Sequence, residues 1–158
     1  MILSYFFFLI FTCFLGGIFG IFWESVLFYL SFSVLREYAG GFHATKEIVC
    51  LLSTSCSIFI CILTISLMEH LNATGLSIGL LLTGSIVVSL LCPMDSEEKP
   101  LSAAEKKYYG NKVRKIVVCY VVTAFLSNAI GKYEVTLALV VAVIFEGCLL
   151  TLGKLKSR

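Results

Sequence analysis

The sequence predicts an all-α fold: a polytopic transmembrane helix bundle of about five to six membrane-embedded helices, built as one integral-membrane domain over residues 1–158. Three observations predict it. Apolar residues make up 59% of the chain and charged residues 14%, whereas about a quarter of a soluble domain is charged. Apolar runs near twenty residues long recur along the chain, and a helix needs about that length to cross a hydrocarbon layer of about 30 Å. Lys and Arg gather in a few polar segments between those runs, as the loop charges of a multi-pass protein do.

Residues 1–35 carry one charged side chain, Glu24. A single straight helix of that length would run about 52 Å, too long for one crossing. Gly16, Gly17 and Gly20 mark a break, with Glu24 just beyond it beside Trp23, a residue that favours the headgroup boundary. The expectation is one crossing over about 1–22, then a shorter amphipathic or interfacial helix to about Leu35; two tight crossings would need shorter helices than usual. A polar island follows at 36–47. Residues 48–68 form the next span, 69–72 a short turn, and 73–92 another span, in which Gly75 and Gly79 form a small-xxx-small pair suited to close helix packing. Residues 93–115 read as a cytoplasmic loop. Pro93 and Pro100 interrupt helix there, and Ser102 followed by Glu105 is a capping-box pattern that opens a short surface helix. Residues 116–131 and 134–152 are the last spans, joined by a tight Gly131-Lys132-Tyr133 turn and followed by a basic tail.

Loop charge sets orientation. Arg36 and Lys46 lie in the island; Lys99, Lys106, Lys107, Lys112, Arg114 and Lys115 lie in the long loop; Lys154, Lys156 and Arg158 lie in the tail. Those three segments are expected in the cytoplasm, in a multi-pass protein of the cell membrane. Five crossings satisfy the rule, with the N-terminus outward if residues 1–35 cross once.

Several function classes drop out. No basic stripe with interleaved aromatics stands on a soluble face, so nucleic acid is not an expected partner. Seven cysteines could suggest a disulfide scaffold, but Cys13, Cys56, Cys61, Cys119 and Cys148 sit inside apolar runs and read as small buried hydrophobes. No Cys/His cluster has metal-site spacing, so neither metal nor cofactor is expected. There is no HExxH for a metalloprotease and no GxSxG for a serine hydrolase. The N-terminal apolar stretch lacks a positive leading region and a small-residue cleavage site, so it reads as retained membrane structure.

The stretch 36–50, REYAGGFHATKEIVC, is the candidate active-site segment. It sets four charges, a Gly pair, His43 and Cys50 between two greasy blocks. A thiolate nucleophile needs a base that titrates near neutral pH, and imidazole does. On one continuous helix, seven residues would separate the two by about 10.5 Å along the axis. Proton transfer needs roughly 3 Å, so the chain must bend between them. Gly40-Gly41 before His43, and Thr45 as an N-cap, supply the bend. A helix beginning near Lys46 would carry Cys50 in its second turn, where the positive helix end favours a thiolate. Arg36 could steady an oxyanion or hold a carboxylate. The same residues also fit a solvated surface loop with a plain Gly turn.

Arg36-x-x-x-Gly40-Gly41-x-His43-Ala44, with Cys50 seven residues past the histidine, resembles the signature of the AgrB family, the membrane cysteine endopeptidases of accessory-gene-regulator quorum sensing. Cys92-Pro93-Met94-Asp95 followed by Lys99-Pro100-Leu101 resembles that family's Pro-containing loop. The resemblance implies Cys50 as nucleophile and His43 as base, and matches Arg36 and Gly41 to further motif positions. It implies an AgrD-like propeptide substrate with an amphipathic leader, a central signal segment and an acidic tail. The enzyme would cut at the end of the signal segment and promote its closure to a thiolactone or lactone. The loop here reads Ser96-Glu97-Glu98-Lys99 where some members are strongly basic. Contacts to the tail would then fall to Lys99, Pro100, Lys106, Lys107 and the basic residues after them. Membrane lipid and a second copy of the chain are the other expected partners.

Glu146 is an acid in mid-span, and such residues need a partner or a function. Arg36 or a basic loop residue across the bundle is its candidate partner; substrate and a dimer contact are its other candidate roles. The competing class is a non-catalytic polytopic protein, a small transporter subunit or assembly factor, in which Glu24, Glu146 and Asn128 line a polar path and Cys50 is one more buried thiol.

Overall fold

The computed structural model describes residues 2–40, 47–71, 74–94 and 102–156, and for 2–4, 47–50, 74 and 156 the backbone alone. These residues form six α-helices and no strand: α1 (Ile2–Phe19), α2 (Phe22–Ala39), α3 (Glu47–His70), α4 (Thr74–Leu91), α5 (Ala103–Ala129) and α6 (Tyr133–Lys156).

The first apolar block does break at its glycines, but into two helices of 18 residues each. Gly20 takes φ +74°, a left-handed conformation that only glycine adopts freely. Gly16 has a separate job. A Cβ there would stand 2.7 Å from the Ser25 hydroxyl oxygen, so its lack of a side chain lets α2 turn back closely along α1. The Tyr29 hydroxyl donates to the Tyr5 carbonyl at 2.9 Å across that hairpin. The second helix is not the shorter one expected to end at Leu35. It continues to Ala39 and takes the first residues of the polar island with it.

The largest correction falls on residues 93–131. The capping box forms as its residues predict: Glu105 N–H donates to the Ser102 hydroxyl, and Ser102 N–H to the Glu105 carboxylate. The helix it opens is not a short surface piece. It runs 27 residues without interruption, so 103–115 is helix rather than loop, and the expected span 116–131 is its second half.

Helix α6 is the central post, packed against α2, α3, α4 and α5. Its residues 136–143 are buried without a gap, as a helix apolar on every side must be. Two apolar clusters meet on it. One joins α1, α2, α3 and α6 around Phe28, Phe32, Ile58 and Ile62. The other joins α2, α4, α5 and α6 around Leu35, Val88, Val113 and Val143. The α4–α6 seam is close because Gly84 faces Val143 and Ile144, with room for no more than a Cβ at 3.2 Å, and Gly147 faces Val87. Among the described residues the expected Gly75–Gly79 pair forms no seam, and none of them comes within 4 Å of a Cβ at either glycine.

Large apolar side chains also cover the outside. Phe6, Ile10, Phe14 and Ile18 form an i, i+4 stripe on α1, each at least 60% exposed, an arrangement that water does not favour. Cys56, Cys119 and Cys148, expected as buried, share this exposed exterior. Two helical segments, Leu51–His70 and Tyr133–Leu155, are long and apolar enough to cross a membrane; Tyr5–Phe19 and Gly75–Leu91 are shorter apolar stretches. Two such segments stand against the expected five to six. Helix α2 carries Glu24 in its first turn and Arg36 in its last, the first turns of α5 are charged, and the fully described apolar stretches of α1 and α4 have 15 and 17 residues.

Charge divides along the bundle axis. The break at Gly20 lies beside Ser66, Glu69 and His70, and Glu69 is within electrostatic reach of Glu24 and Glu134. That end is acidic. The other end holds the C-terminus of α2, the segment after α4 and the basic first turns of α5.

Candidate active site at the basic end

The two motif segments, far apart in sequence, meet at this end. Arg36 lies in the last turn of α2, whose C-cap is Gly40 at φ +74°, ψ −154°. Gly40 N–H donates to the Arg36 carbonyl at 3.3 Å, and Met94 N–H donates to the Ala39 carbonyl at 3.1 Å. The approach is tight, since a Cβ on Gly40 would stand 2.7 Å from the Met94 carbonyl oxygen. Pro93 in turn rests on α5, where a Cβ on Gly110 would stand 3.2 Å from Pro93 Cδ. The chain thus leaves α2 for the Gly41–His43 stretch from a point fixed by the Cys92-Pro93-Met94 segment.

The same corner carries an aromatic and basic cluster. The Tyr38 and Tyr109 rings lie 6.4 Å apart, and Tyr108 stands edge-on to Tyr109. Lys112 Nζ sits 3.8 Å from the Tyr38 ring centre, a cation–π distance. Contact with Tyr38 moves the Lys112 pKa upward, against a smaller opposing effect of burial, so Lys112 stays cationic at physiological pH. Sequence reasoning missed Tyr38 in this role. The one-turn spacing of Tyr108 and Lys112 was its available signal.

Arg36 also turns inward. Its Nη1 stands 3.8 Å from Oε1 of Glu146, whose side chain is fully buried while that of Arg36 is 22% exposed. The separation makes this an ion pair rather than a hydrogen bond. Of the partners open to Glu146 in the sequence, the structure selects Arg36.

The backbone of Cys50 is helical, near the N-terminal end of the described part of α3; the residues before Glu47, where the sequence places the start of that helix, lie outside the described residues. The Cys50 side chain, together with Gly41, His43, Lys99 and Pro100, also lies outside them. Lys106 and Lys107 stand on the exposed first turns of α5. Cys92 is buried at 8% exposure within the apolar cluster, a setting in which a thiol stays protonated and inert.

Comparison with known proteins gives a consistent result. Residues 1–150 match the family described as accessory gene regulator B, AgrB. An AgrB-like protein 2 of Clostridium perfringens (strain 13 / Type A) is 31% identical over 120 residues, covering 72% of this chain and 56% of that protein. An AgrB-like protein of Clostridium perfringens (strain SM101 / Type A) is 30% identical over 120 residues with the same coverage. The chain thus spans little more than half the length of the curated relatives it matches. No solved structure matches it. With its signature segment and its Pro-containing segment joined at one end of an apolar bundle, and with a family match running through both, the chain belongs to the AgrB family.

Proposed function

We propose that this chain is a multi-pass membrane cysteine endopeptidase that removes the C-terminal tail of an AgrD-like signal propeptide and promotes closure of the remaining segment to a thiolactone or lactone. The observation that carries this reading is the contact of Ala39–Gly40 with Met94, which unites both motif segments beside the stretch leading to Cys50. Membership of the AgrB family supports it independently.

In this mechanism His43 takes the Cys50 thiol proton. The thiolate attacks the carbonyl at the end of the signal segment. Arg36, Gly41 and backbone amides at the N-terminal end of the helix that carries Cys50 steady the oxyanion. The C–N bond breaks as His43 returns the proton to the leaving amine, and the acidic tail departs toward Lys99, Lys106 and Lys107. The signal segment remains as a thioester on Cys50. An internal Cys or Ser of the substrate then attacks that thioester, the ring closes, and Cys50 recovers its proton. Exchange between two thioesters is nearly balanced in energy, so excluding water preserves what hydrolysis would lose. An amphipathic leader lying on the same membrane surface brings the scissile bond to a fixed depth.

The test is cleavage, in membranes, of an AgrD-like propeptide, which this reading expects to be encoded beside the protein. Cys50→Ala and His43→Ala are expected to abolish cleavage, Cys56→Ala to leave it unchanged, and wild type to yield a Cys50-linked substrate thioester by mass spectrometry. Retention of cleavage by Cys50→Ala would remove the reading altogether.

A further inference from the structure

We infer that Glu146 is a positioning residue for this reaction: from the middle of α6 it holds the Arg36 side chain, and through Arg36 it fixes the turn of α2 that launches the Gly41–His43 segment. The inference rests on the proposed endopeptidase reading and adds to it a residue that belongs to neither motif segment.

Glu146 is fully buried, and neither of its carboxylate oxygens has a hydrogen-bond partner among the described residues. The charge facing it is the Arg36 guanidinium at 3.8 Å. An arginine stays cationic in proteins, and a lone carboxylate in an apolar bundle is costly. Each therefore constrains the other, and removing one partner of such a pair leaves the other uncompensated.

The position of Arg36 in the chain turns this pairing into a geometric device. Its carbonyl accepts the Gly40 amide that ends α2, and its side chain reaches α6. Three residues later, the Ala39 carbonyl accepts from Met94. The last turn of α2 is thus tied at one point to α6 and at another to the segment after α4, and the next residues lead to His43. The Met94 contact fixes where the chain emerges. The Glu146 contact is a second tether on the same turn and sets the direction of the Arg36 side chain, inward toward α6. Loss of Glu146 removes the carboxylate that faces the guanidinium from α6, and with it the inward charge that sets this direction.

The mechanism sets the readouts. A residue that acts through Arg36 affects the chemical step more than propeptide affinity. Displacement of a reacting group by about 1 Å can lower a rate on the order of a hundredfold. Glu146→Gln is expected to lower kcat by about tenfold or more while KM for the propeptide stays within about twofold. Glu146→Asp keeps the charge and is expected to recover part of the rate. The decisive measurement is a cycle with Arg36→Met. If Glu146 works through Arg36, the double variant Arg36→Met/Glu146→Gln cleaves no more slowly than Arg36→Met alone. Independent, multiplicative losses would overturn the inference, and so would wild-type kcat in Glu146→Gln. Cleavage is normalised to folded protein recovered from detergent. If Glu146→Gln does not fold, the apolar pair Arg36→Met/Glu146→Leu supplies a packed comparison. That variant is expected to fold and to match Arg36→Met in rate; a further loss below Arg36→Met overturns the inference. Cys50→Ala runs in parallel. Its inactivity beside a fully active Glu146→Gln sinks this inference alone, whereas its activity sinks the endopeptidase reading.

Discussion

Gly40 joins two constraints that are usually separate. Its φ of +74° with ψ of −154° belongs to a region that is essentially glycine's own, and other residues there cost about 1–3 kcal/mol. It also faces a backbone oxygen, Met94 O, at 2.7 Å from where a Cβ would stand, and a backbone atom cannot swing aside as a side-chain tip can. Gly20 shares the positive φ but has no described residue within 4 Å of a Cβ, so alanine there meets chiefly the left-handed cost of about 1–2 kcal/mol. Gly40→Ala is therefore expected to lower the thermal midpoint in detergent more than Gly20→Ala does, and to reduce propeptide cleavage as well. Equal shifts would mean that the Met94 segment moves freely. The Gly40-Gly41 pair was legible as a helix breaker, and α2 ends at Gly40; the pairing of His43 with Cys50 for which the sequence invoked a bend lies outside the described residues. The partner of Glu146 was legible as a short set of candidates, because a charge in an apolar helix must be answered. The contacts of Gly40 with Met94 and of Gly110 with Pro93 were not legible. Nothing in a local pattern says which distant backbone will come close.

At the scale of elements, the helices were legible in kind and less so in extent. Apolar runs fix where a helix exists, but a helix does not stop where its apolar run stops. Helix α5 continues through a charged half into an apolar half because its capping box starts it firmly and nothing inside breaks it; Gly110 serves as a seat for Pro93. Helix α2 likewise carries its hydrogen-bonded turns past Leu35 to Ala39. The glycines of α4 show the same limit. Gly75 and Gly79 have the spacing of a packing motif, yet the seam with α6 uses Gly84. Small size permits close approach without saying which face is used, since face depends on the neighbour. Gly84→Leu is expected to destabilise by about 1–3 kcal/mol through overpacking against Val143 and Ile144. Gly79→Leu is expected to stay within about 0.5 kcal/mol of wild type, as a surface substitution does. Unfolding midpoints in detergent decide between them, and a reversed order would place the α4–α6 seam on the other face.

At the scale of the whole molecule, the turn at Gly20 changes the topology that loop charges alone suggest. Because α2 turns back along α1, residues 2–39 begin and end at the same end of the bundle. Six helices then alternate in direction. The start of α1, the segment after α2, the segment after α4 and the end of α6 share one end, with Arg36, Lys106, Lys107, Lys112 and Lys154. Glu24, Glu69, His70, Lys132 and Glu134 occupy the other. In the proposed multi-pass reading that segregation satisfies the positive-inside rule with six crossings, where the sequence alone favoured five and an outward N-terminus. Helices of 18 residues, about 27 Å, need only slight thinning of a 30 Å hydrocarbon layer. The proposed orientation therefore places both termini and Cys50 in the cytoplasm and the 131–133 turn outside. Reporter fusions at the two termini are expected to give cytoplasmic signals. In a cysteine-free variant of intact cells, a single cysteine at Lys132 is expected to react with an impermeant maleimide added outside, while one at Lys107 reacts only after permeabilisation. An external N-terminus with an internal C-terminus would mean that the α1–α2 hairpin does not cross the membrane as a pair, and the proposed site would then lose its shared floor of α2 and the Pro93 segment.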